Sequence, residues 1–405
     1  MDNAQAKTPW PLVLLLIGAG VVASFQVGKA PPVLDAMRRE LGMSLFLAGW
    51  ILSTFNIIGL ALGSASGASA DALGHRRLLL AGLCLQGAGS VSGALTHSVA
   101  ILFLTRIIEG LGFLMVAVTA PALIVRITKP RDLRLALSGW SCFLPAGAAI
   151  IMLITPLVTA SFGWRGLWLF NALFVGGYAL VTAACTQGLV HPKPSRRITP
   201  LTVLRDMLTT STAPGPFLLA LIFSTYTLQW LAMMGFLPTL LVETYRMSSG
   251  QASVLTALVV AMNVPGNLAG GWLMSRRAGR WHLIVSAGLV MGLCSLAIYG
   301  EGFSFWVRFG GCLLFSGAGG LLPAAVISGA PVHAPRPDLV ATTNGLIMQG
   351  SQLGQMVGPP ALALVVSGFG GWGAAPWLLC ASAALGIVLS AGLALLERQA
   401  VHVSP

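Results

Sequence analysis

The chain has 405 residues, of which 56% are hydrophobic and only 8% are charged. An average soluble domain is about 25% charged, so this composition cannot cover a water-soluble surface and excludes a soluble enzyme. The formal net charge of +12 would suggest nucleic-acid binding in a soluble protein, but in a membrane protein it is the expected bias of cytoplasmic loops.

Twelve apolar runs follow one another along the chain, and each is long enough to cross a bilayer, which takes about 20 residues. Helix is the expected conformation, because open strands would leave backbone polar groups unpaired in lipid. We number the runs as spans one to twelve: 12–34, 45–66, 75–95, 99–121, 134–156, 165–187, 215–240, 250–273, 281–299, 304–327, 341–366 and 374–396. The sequence predicts an all-α polytopic membrane protein with a six-helix half at 1–190, a cytoplasmic linker at 191–213 and a second six-helix half at 214–405.

The distribution of basic residues predicts the orientation. With the N-terminus placed in the cytoplasm, 16 of the 23 Lys and Arg lie on the cytoplasmic side and six on the other, while Arg106 lies inside a span. By the positive-inside rule, both termini are cytoplasmic. We expect a multi-pass protein of the cytoplasmic (bacterial inner) membrane.

Cysteine and histidine give no sign of a metal or redox site. The six cysteines lie inside apolar runs without a Cys-x-x-Cys pair, and the six histidines lie near loops. The sequence also lacks the Gly-x-x-x-x-Gly-Lys-[Ser/Thr] pattern of an ATPase. We therefore expect no metal, no cofactor and no enzymatic activity.

An internal duplication is visible at an offset of 207 residues. Asn56 in span two matches Asn263 in span eight, and Gly110-Leu-Gly112 in span four matches Gly317-Ala-Gly319 in span ten. Two similar six-helix halves are typical of secondary transporters, whose substrate site lies near the membrane midplane between the halves.

The loop after span two reads Gly67-Ala-Ser-Ala-Asp71-Ala-Leu-Gly74-His-Arg76-Arg77. Glycines permit a sharp reversal, and the carboxylate can meet a helix N-terminus or an arginine, so the cluster could latch the cytoplasmic side. This spacing resembles the signature loop of the major facilitator superfamily, G-x-x-x-D-[RK]-x-G-x-[RK]-[RK], with an alanine where the first basic residue is usual. The resemblance implies a two-bundle transporter in which this loop forms the cytoplasmic gate. The alternative is a loop whose charges only set the topology.

Span four contains two charged residues, Arg106 and Glu109. A charge at the centre of a spanning helix costs about 2.5–3.5 kcal/mol on insertion scales, so both are candidates for function. Their i, i+3 spacing places them on one face, where they can pair. The pattern Arg-x-x-x-Gly-x-Gly resembles a second motif of the superfamily, which is linked to proton transfer in proton-coupled members. The resemblance implies proton coupling by Glu109 with Arg106, and the alternative is a static buried ion pair.

Other polar and aromatic side chains within the spans are candidates for the substrate cavity. They are Gln26, Lys29, Asn56, Trp140, Tyr226, Gln229, Trp230, Asn263, Asn267, Asn344, Gln349 and Gln352. Lys29 could face an anionic group of the substrate or reach the outer headgroups. The amides could instead join helices at about 0.6 kcal/mol each, and the aromatics could serve as packing or as interface anchors.

These features predict a secondary transporter of the major facilitator type that moves a small organic molecule by alternating access. We favour efflux of a metabolite, drug-like compound or siderophore by a proton-coupled antiporter, with the proton gradient as the driving force. Span five, around Trp140 and Pro145, only partly resembles the fifth-helix motif of antiporters. Proton-coupled uptake of a small organic anion is therefore the alternative, and a membrane sensor or scaffold is the alternative of another class. We expect a monomer that binds its substrate and the bilayer but no nucleic acid.

Overall fold

The computed structural model describes residues 7–63, 74–189, 200–276, 278–300 and 302–403, and all regular structure within these ranges is helical. In the first half, the helices and 3-10 turns are Trp10–Ala23, Phe25–Gly28, Pro31–Val33, Leu34–Leu41, Leu45–Ser53, Thr54–Asn56, His75–Leu95, Val99–Ile127, Pro130–Ser141 and Phe143–Cys185. The predicted linker contributes a helix at Pro200–Ser211.

In the second half, the helices and 3-10 turns are Pro214–Tyr245, Ser249–Ala261, Asn263–Ser275, Arg280–Tyr299, Phe305–Gly319, Leu321–Ile327, Ala330–His333, Pro337–Leu339, Val340–Gly368, Trp372–Ala374 and Ala375–Val403. Proline or glycine lies at many of the breaks between them, where a missing N–H or a missing Cβ permits the change of direction.

Ten helical segments of the described chain are long and apolar enough to cross a membrane. One of them, Phe143–Cys185, contains most of spans five and six, which are separated at Gly163, where φ is +60°. The first residues of span five lie in the preceding helix, Pro130–Ser141. Span eleven corresponds to Val340–Gly368, a long helix with more polar residues. The protein is therefore an all-α multi-pass membrane protein, and its described helices are consistent with twelve crossings.

The two halves repeat the same local packing. Span two is interrupted by a 3-10 turn that ends at Asn56, and span eight is interrupted just before the matching Asn263. In the first half, Gly110 packs so closely on the carbonyl of Phe55 that a Cβ would overlap it. In the second half, a Cβ at Gly317 would lie 3.7 Å from the carbonyl of Met262, the residue 207 positions after Phe55. The duplication predicted from the sequence is thus visible in the helix contacts.

The halves meet along two pairs of spans. Span two packs on span eleven, where the Ser53 hydroxyl donates to the carbonyl of Gln355 at 3.3 Å. Span five packs on span eight, where the Ser253 hydroxyl donates to the carbonyl of Met152 at 2.6 Å. Both hydrogen bonds lie nearer to the predicted outer ends of these spans than to their cytoplasmic ends.

Candidate functional site: a buried charge cluster

Three charged side chains meet in the interior of the first half. Glu109 accepts hydrogen bonds from Lys29 Nζ at 2.6 Å and from Arg106 Nη1 at 2.6 Å, one on each carboxylate oxygen. The side chains of Lys29 and Glu109 are 0% exposed, and that of Arg106 is 1% exposed. Glu109 is also the only fully buried carboxylate among the described residues. We call Lys29, Arg106 and Glu109 the charge cluster.

The backbone around span one positions Lys29. The helix Trp10–Ala23 breaks at Ser24, and a short turn of helix, Phe25–Gly28, ends at Lys29 before Pro31 stops the pattern. A Cβ at Gly28 would overlap the backbone of Ala148 in span five, so this part of span one packs tightly against its neighbour. The lysine is therefore held inside the bundle.

Arg106 is fixed by backbone carbonyls as well as by the carboxylate. Its Nη1 donates to the carbonyl of Gln26 at 2.9 Å and its Nε to the carbonyl of Ile51 at 3.3 Å, while its guanidinium lies 4.8 Å from the ring centroid of Phe55. These contacts tie span four to spans one and two. An arginine with several fixed partners of this kind is well suited to hold a carboxylate in place.

Lys29 has partners on two further spans. Its Nζ donates to the Ser90 hydroxyl at 2.8 Å and lies 4.3 Å from the ring centroid of Trp168. The Ser90 hydroxyl also lies 2.9 Å from Glu109 Oε1, and Gln26 Nε2 donates to the same hydroxyl at 3.1 Å. Ser90 and Trp168 were not among the predicted site residues, because one small hydroxyl and one aromatic in apolar runs look like packing.

The cluster has an unbalanced charge. With all three groups ionised, two cations face one carboxylate, and the net charge is +1 in a site without solvent exposure. Buried charges lose their hydration, and mutual attraction compensates only when the partners are well placed. Such groups within a membrane span mark sites of ion or substrate handling.

The matching place in the second half holds a neutral cluster. Asn263 Nδ2 donates to the Tyr226 hydroxyl at 3.1 Å and to the carbonyl of Ser316 at 3.0 Å, and Asn267 Nδ2 donates to Asn263 Oδ1 at 2.9 Å. Ser316 is the residue 207 positions after Glu109. The two halves therefore carry polar chemistry at matching positions, charged in one and neutral in the other.

The other predicted cavity residues are spread over several environments. Gln349 Nε2 donates to the carbonyl of Leu60 in span two at 2.8 Å, and Gln352 packs on Gly59, so both lie between the halves. Gln229 Nε2 bonds to its own helix at Thr225. The rest are buried or half-buried within their spans: Asn56, Trp140, which stacks on Phe143 at 4.3 Å, Trp230 and Asn344.

Only part of the predicted cytoplasmic gate can be described. Gly67 and Asp71 lie outside the described residues. Gly74 has φ of +99° and precedes the helix His75–Leu95, and Arg77 is exposed. Arg76 Nη2 donates to the carbonyl of Ala183 at 2.9 Å, at the C-terminal end of span six.

On the predicted outer side, polar contacts join the halves. Asp35, which follows the predicted end of span one, lies in the helix Leu34–Leu41 and pairs with Arg38 at 3.2 Å. Its carboxylate also accepts from Thr239 at 3.3 Å, and Arg38 lies 3.7 Å from Glu243. We call Asp35, Arg38, Thr239 and Glu243 the outer clamp.

Comparison with known proteins identifies relatives over most of the chain. The family model described as Major Facilitator Superfamily matches residues 16–359. The 3-(3-hydroxy-phenyl)propionate transporter of Escherichia coli K12 is 28% identical over 358 residues, which cover 84% of each chain. The multidrug resistance protein MdtH of Aeromonas hydrophila is 30% identical over half of this chain and 49% of its own length.

A further relative aligns over a shorter part. The methyl viologen resistance protein SmvA of Salmonella typhimurium is 27% identical over 195 residues, which are 47% of this chain and 38% of the relative. This chain therefore matches less than half the length of that relative.

Solved structures of similar fold cover almost the whole chain. A bacterial homolog of the human lysosomal transporter Spinster, in an inward-facing and occupied conformation, superposes with a TM-score of 0.78 at 14% identity over 98% of both chains. Its inward-facing and unoccupied form gives 0.75 at 16% identity. At this identity the likeness establishes the fold.

Proposed function

The chain belongs to the Major Facilitator Superfamily and is a transporter rather than an enzyme, and from its charge cluster we propose that it is a proton-coupled secondary transporter of a small organic molecule in the cytoplasmic membrane. The two halves would rock about a midplane site to alternate access. The observation that carries the proposal is the fully buried Glu109 carboxylate between Lys29 and Arg106. Ionisable groups at this depth are expensive to retain unless they handle ions or substrate.

The direction that we propose first is efflux. The names of two relatives, MdtH and SmvA, denote resistance to drugs or to methyl viologen. Proton-driven export of a metabolite, drug-like compound or siderophore suits a site in which proton binding and substrate binding alternate.

Uptake of a small organic anion is the second candidate, and two observations favour it. The charge cluster has a net charge of +1, so an anionic substrate would reduce the imbalance. The relative that covers 84% of both chains is named for a phenylpropionate, which is a carboxylate.

The test uses purified protein in proteoliposomes with an internal pH dye. A pH gradient is imposed, a panel of drugs, organic acids and iron chelators is added, and the wild type is compared with Glu109→Gln. Because Glu109→Gln leaves two buried cations, the pair Lys29→Met with Glu109→Gln, whose net charge is again +1, serves as a second variant. Asp338→Asn makes the same carboxylate-to-amide change on a carboxylate that is 57% exposed and is the control.

We expect proton flux that depends on substrate in the wild type and the control, and its loss in both Glu109 variants. The sign of the flux relative to substrate movement separates export from symport. Coupled transport that survives in both Glu109 variants would overturn the role of the cluster. No movement of any compound would overturn transport of these substrate classes and favour the sensor or scaffold.

A further inference from the structure

We propose that the proton handled by the charge cluster is carried on the Lys29 amine, while Glu109 stays ionised as its fixed counter-ion. This inference rests on the proposed proton-coupled function and names the atom that gains and loses the proton. It differs from the sequence-based expectation, which assigns that role to the Glu109 carboxyl.

The count of charges carries the inference. Arg106 keeps its charge, because a guanidinium is not deprotonated in proteins. If Glu109 took up a proton beside a charged Lys29, the site would hold +2 with no solvent exposure. If Lys29 instead released a proton, the site would hold one cation and one carboxylate and be neutral. Protonation of Glu109 would thus cycle the site between net charges of +1 and +2, whereas deprotonation of Lys29 would cycle it between +1 and zero. The second cycle is the easier one for a buried site, because uncompensated charge is costly to bury.

The hydrogen bonds around Lys29 can satisfy both of its protonation states. The charged amine donates to Glu109 Oε1 and to the Ser90 hydroxyl and lies over the electron-rich face of Trp168. A neutral amine has a lone pair, and the Ser90 hydroxyl, which is within 2.8 Å, can turn to donate to it. The hydroxyl is also within 2.9 Å of the carboxylate, so it has an acceptor in either state.

The partners of Glu109 favour a fixed carboxylate. Its two oxygens accept from Arg106, Lys29 and Ser90, and Arg106 is held in turn by the carbonyls of Gln26 and Ile51. A protonated carboxyl would present its own donor to one of these three donors. Lysine amines, by contrast, change protonation readily when they are buried.

Within the part of the chain that the structure describes, no further charged group forms an ion pair with the charge cluster. Span four presents Arg106 and Glu109 to Lys29, span three presents Ser90, and span six presents Trp168. Span five contacts this turn through the apolar residues Ala148 and Ile151. Among the described residues, the only ion-pair partner of Lys29 is Glu109.

The experiment compares Lys29→Arg and Lys29→Met with the wild type in the proteoliposome assay. Arginine keeps the charge but cannot release its proton, and methionine cannot bind one. Lys7→Arg, on an exposed lysine near the N-terminus, is the control for the substitution itself. We expect Lys29→Arg to keep the exchange of substrate between equal concentrations on the two sides of the membrane but to lose the substrate-dependent proton flux. A wild-type ratio of protons to substrate in either Lys29 variant would overturn the inference.

A direct measurement does not depend on how well those variants fold. The chain has only four lysines, so the side-chain nitrogen and ε-carbon NMR signals of the wild type can be assigned to Lys29 by elimination with Lys7→Arg, Lys129→Arg and Lys193→Arg. We expect the Lys29 signal to titrate across the pH range in which transport changes. A Lys29 signal that stays in its charged form throughout this range would overturn the inference. Absence of proton flux in the wild type would instead overturn the proposed function, so the two failures are distinguishable.

Discussion

Removal of the Glu109 carboxylate should destabilise the protein much more than removal of the Lys29 amine, although the two groups form one ion pair. Glu109→Gln leaves Arg106 without a counter-ion in a site that is closed to solvent, and Lys29 is a second unbalanced cation there whenever its amine holds a proton. Lys29→Met leaves Arg106 paired with Glu109 at 2.6 Å and a net charge of zero. The asymmetry follows from the charge count alone.

The magnitudes can be worked out from the same contacts. Two unit charges about 4 Å apart interact by about 4 kcal/mol at an effective dielectric of about 20, and breaking a buried pair by removing one partner costs about 3–5 kcal/mol. We therefore expect Glu109→Gln to lower the free energy of unfolding by about 3–5 kcal/mol. For Lys29→Met we expect about 1 kcal/mol, since the lost hydrogen bonds are offset by one fewer buried cation.

The assay is equilibrium unfolding in mixed micelles titrated with SDS, followed by tryptophan fluorescence and far-ultraviolet circular dichroism. The double variant completes a double-mutant cycle, in which we expect a coupling energy of roughly 2 kcal/mol. Asp338→Asn should lie within about 0.5 kcal/mol of the wild type, as surface substitutions usually do. If Lys29→Met proved as costly as Glu109→Gln, charge balance would not be what governs this site.

Two further predictions concern contacts between spans. Gly350→Ala should lower the free energy of unfolding by about 1–3 kcal/mol, because its Cβ would overlap the carbonyl of Ala220 in span seven. Gly176→Ala, whose Cβ would have nothing within 4 Å, should change it little, and equal effects of the two substitutions in the same SDS titration would contradict this packing. Glu243→Gln removes a part-exposed ion pair of the outer clamp that is worth up to about 1 kcal/mol. In a Ser253→Cys background without native cysteines, the thiol at the outer contact of spans five and eight should then react up to about fivefold faster with maleimide added on the outer side. An unchanged rate would show that the clamp does not hold this side closed.

Local pattern was sufficient to predict the all-α multi-pass fold, the duplication and the pairing of Arg106 with Glu109. A run of about 20 apolar residues has one outcome in a bilayer, and two charges three residues apart on a helix share a face whatever the tertiary structure. The match of Asn56 with Asn263, which the sequence offered only as a sign of duplication, coincides in the structure with two places where the helices break in the same way.

The partners of the charge cluster could not be predicted in this way. Lys29 and Glu109 are 80 residues apart, and their contact depends on how span one breaks after Ala23 and how far it rotates against span four. The sequence left Lys29 open between substrate and headgroups, and the structure buries it completely. Gln349 also shows this limit, because its contact with Leu60 depends on the register between two halves that no local pattern fixes.

The one-sided charge has an electrical consequence. The side chains that carry charge in the middle of the described spans belong to the first half, and the matching position in the second half holds the neutral Asn263, Tyr226 and Ser316. One elementary charge that crosses the whole membrane potential changes its energy by about 2.3 kcal/mol per 100 mV. In the proposed transport cycle, the membrane voltage would therefore act on the mid-span charges of the first half, while the matching position of the second half presents no charged side chain to it.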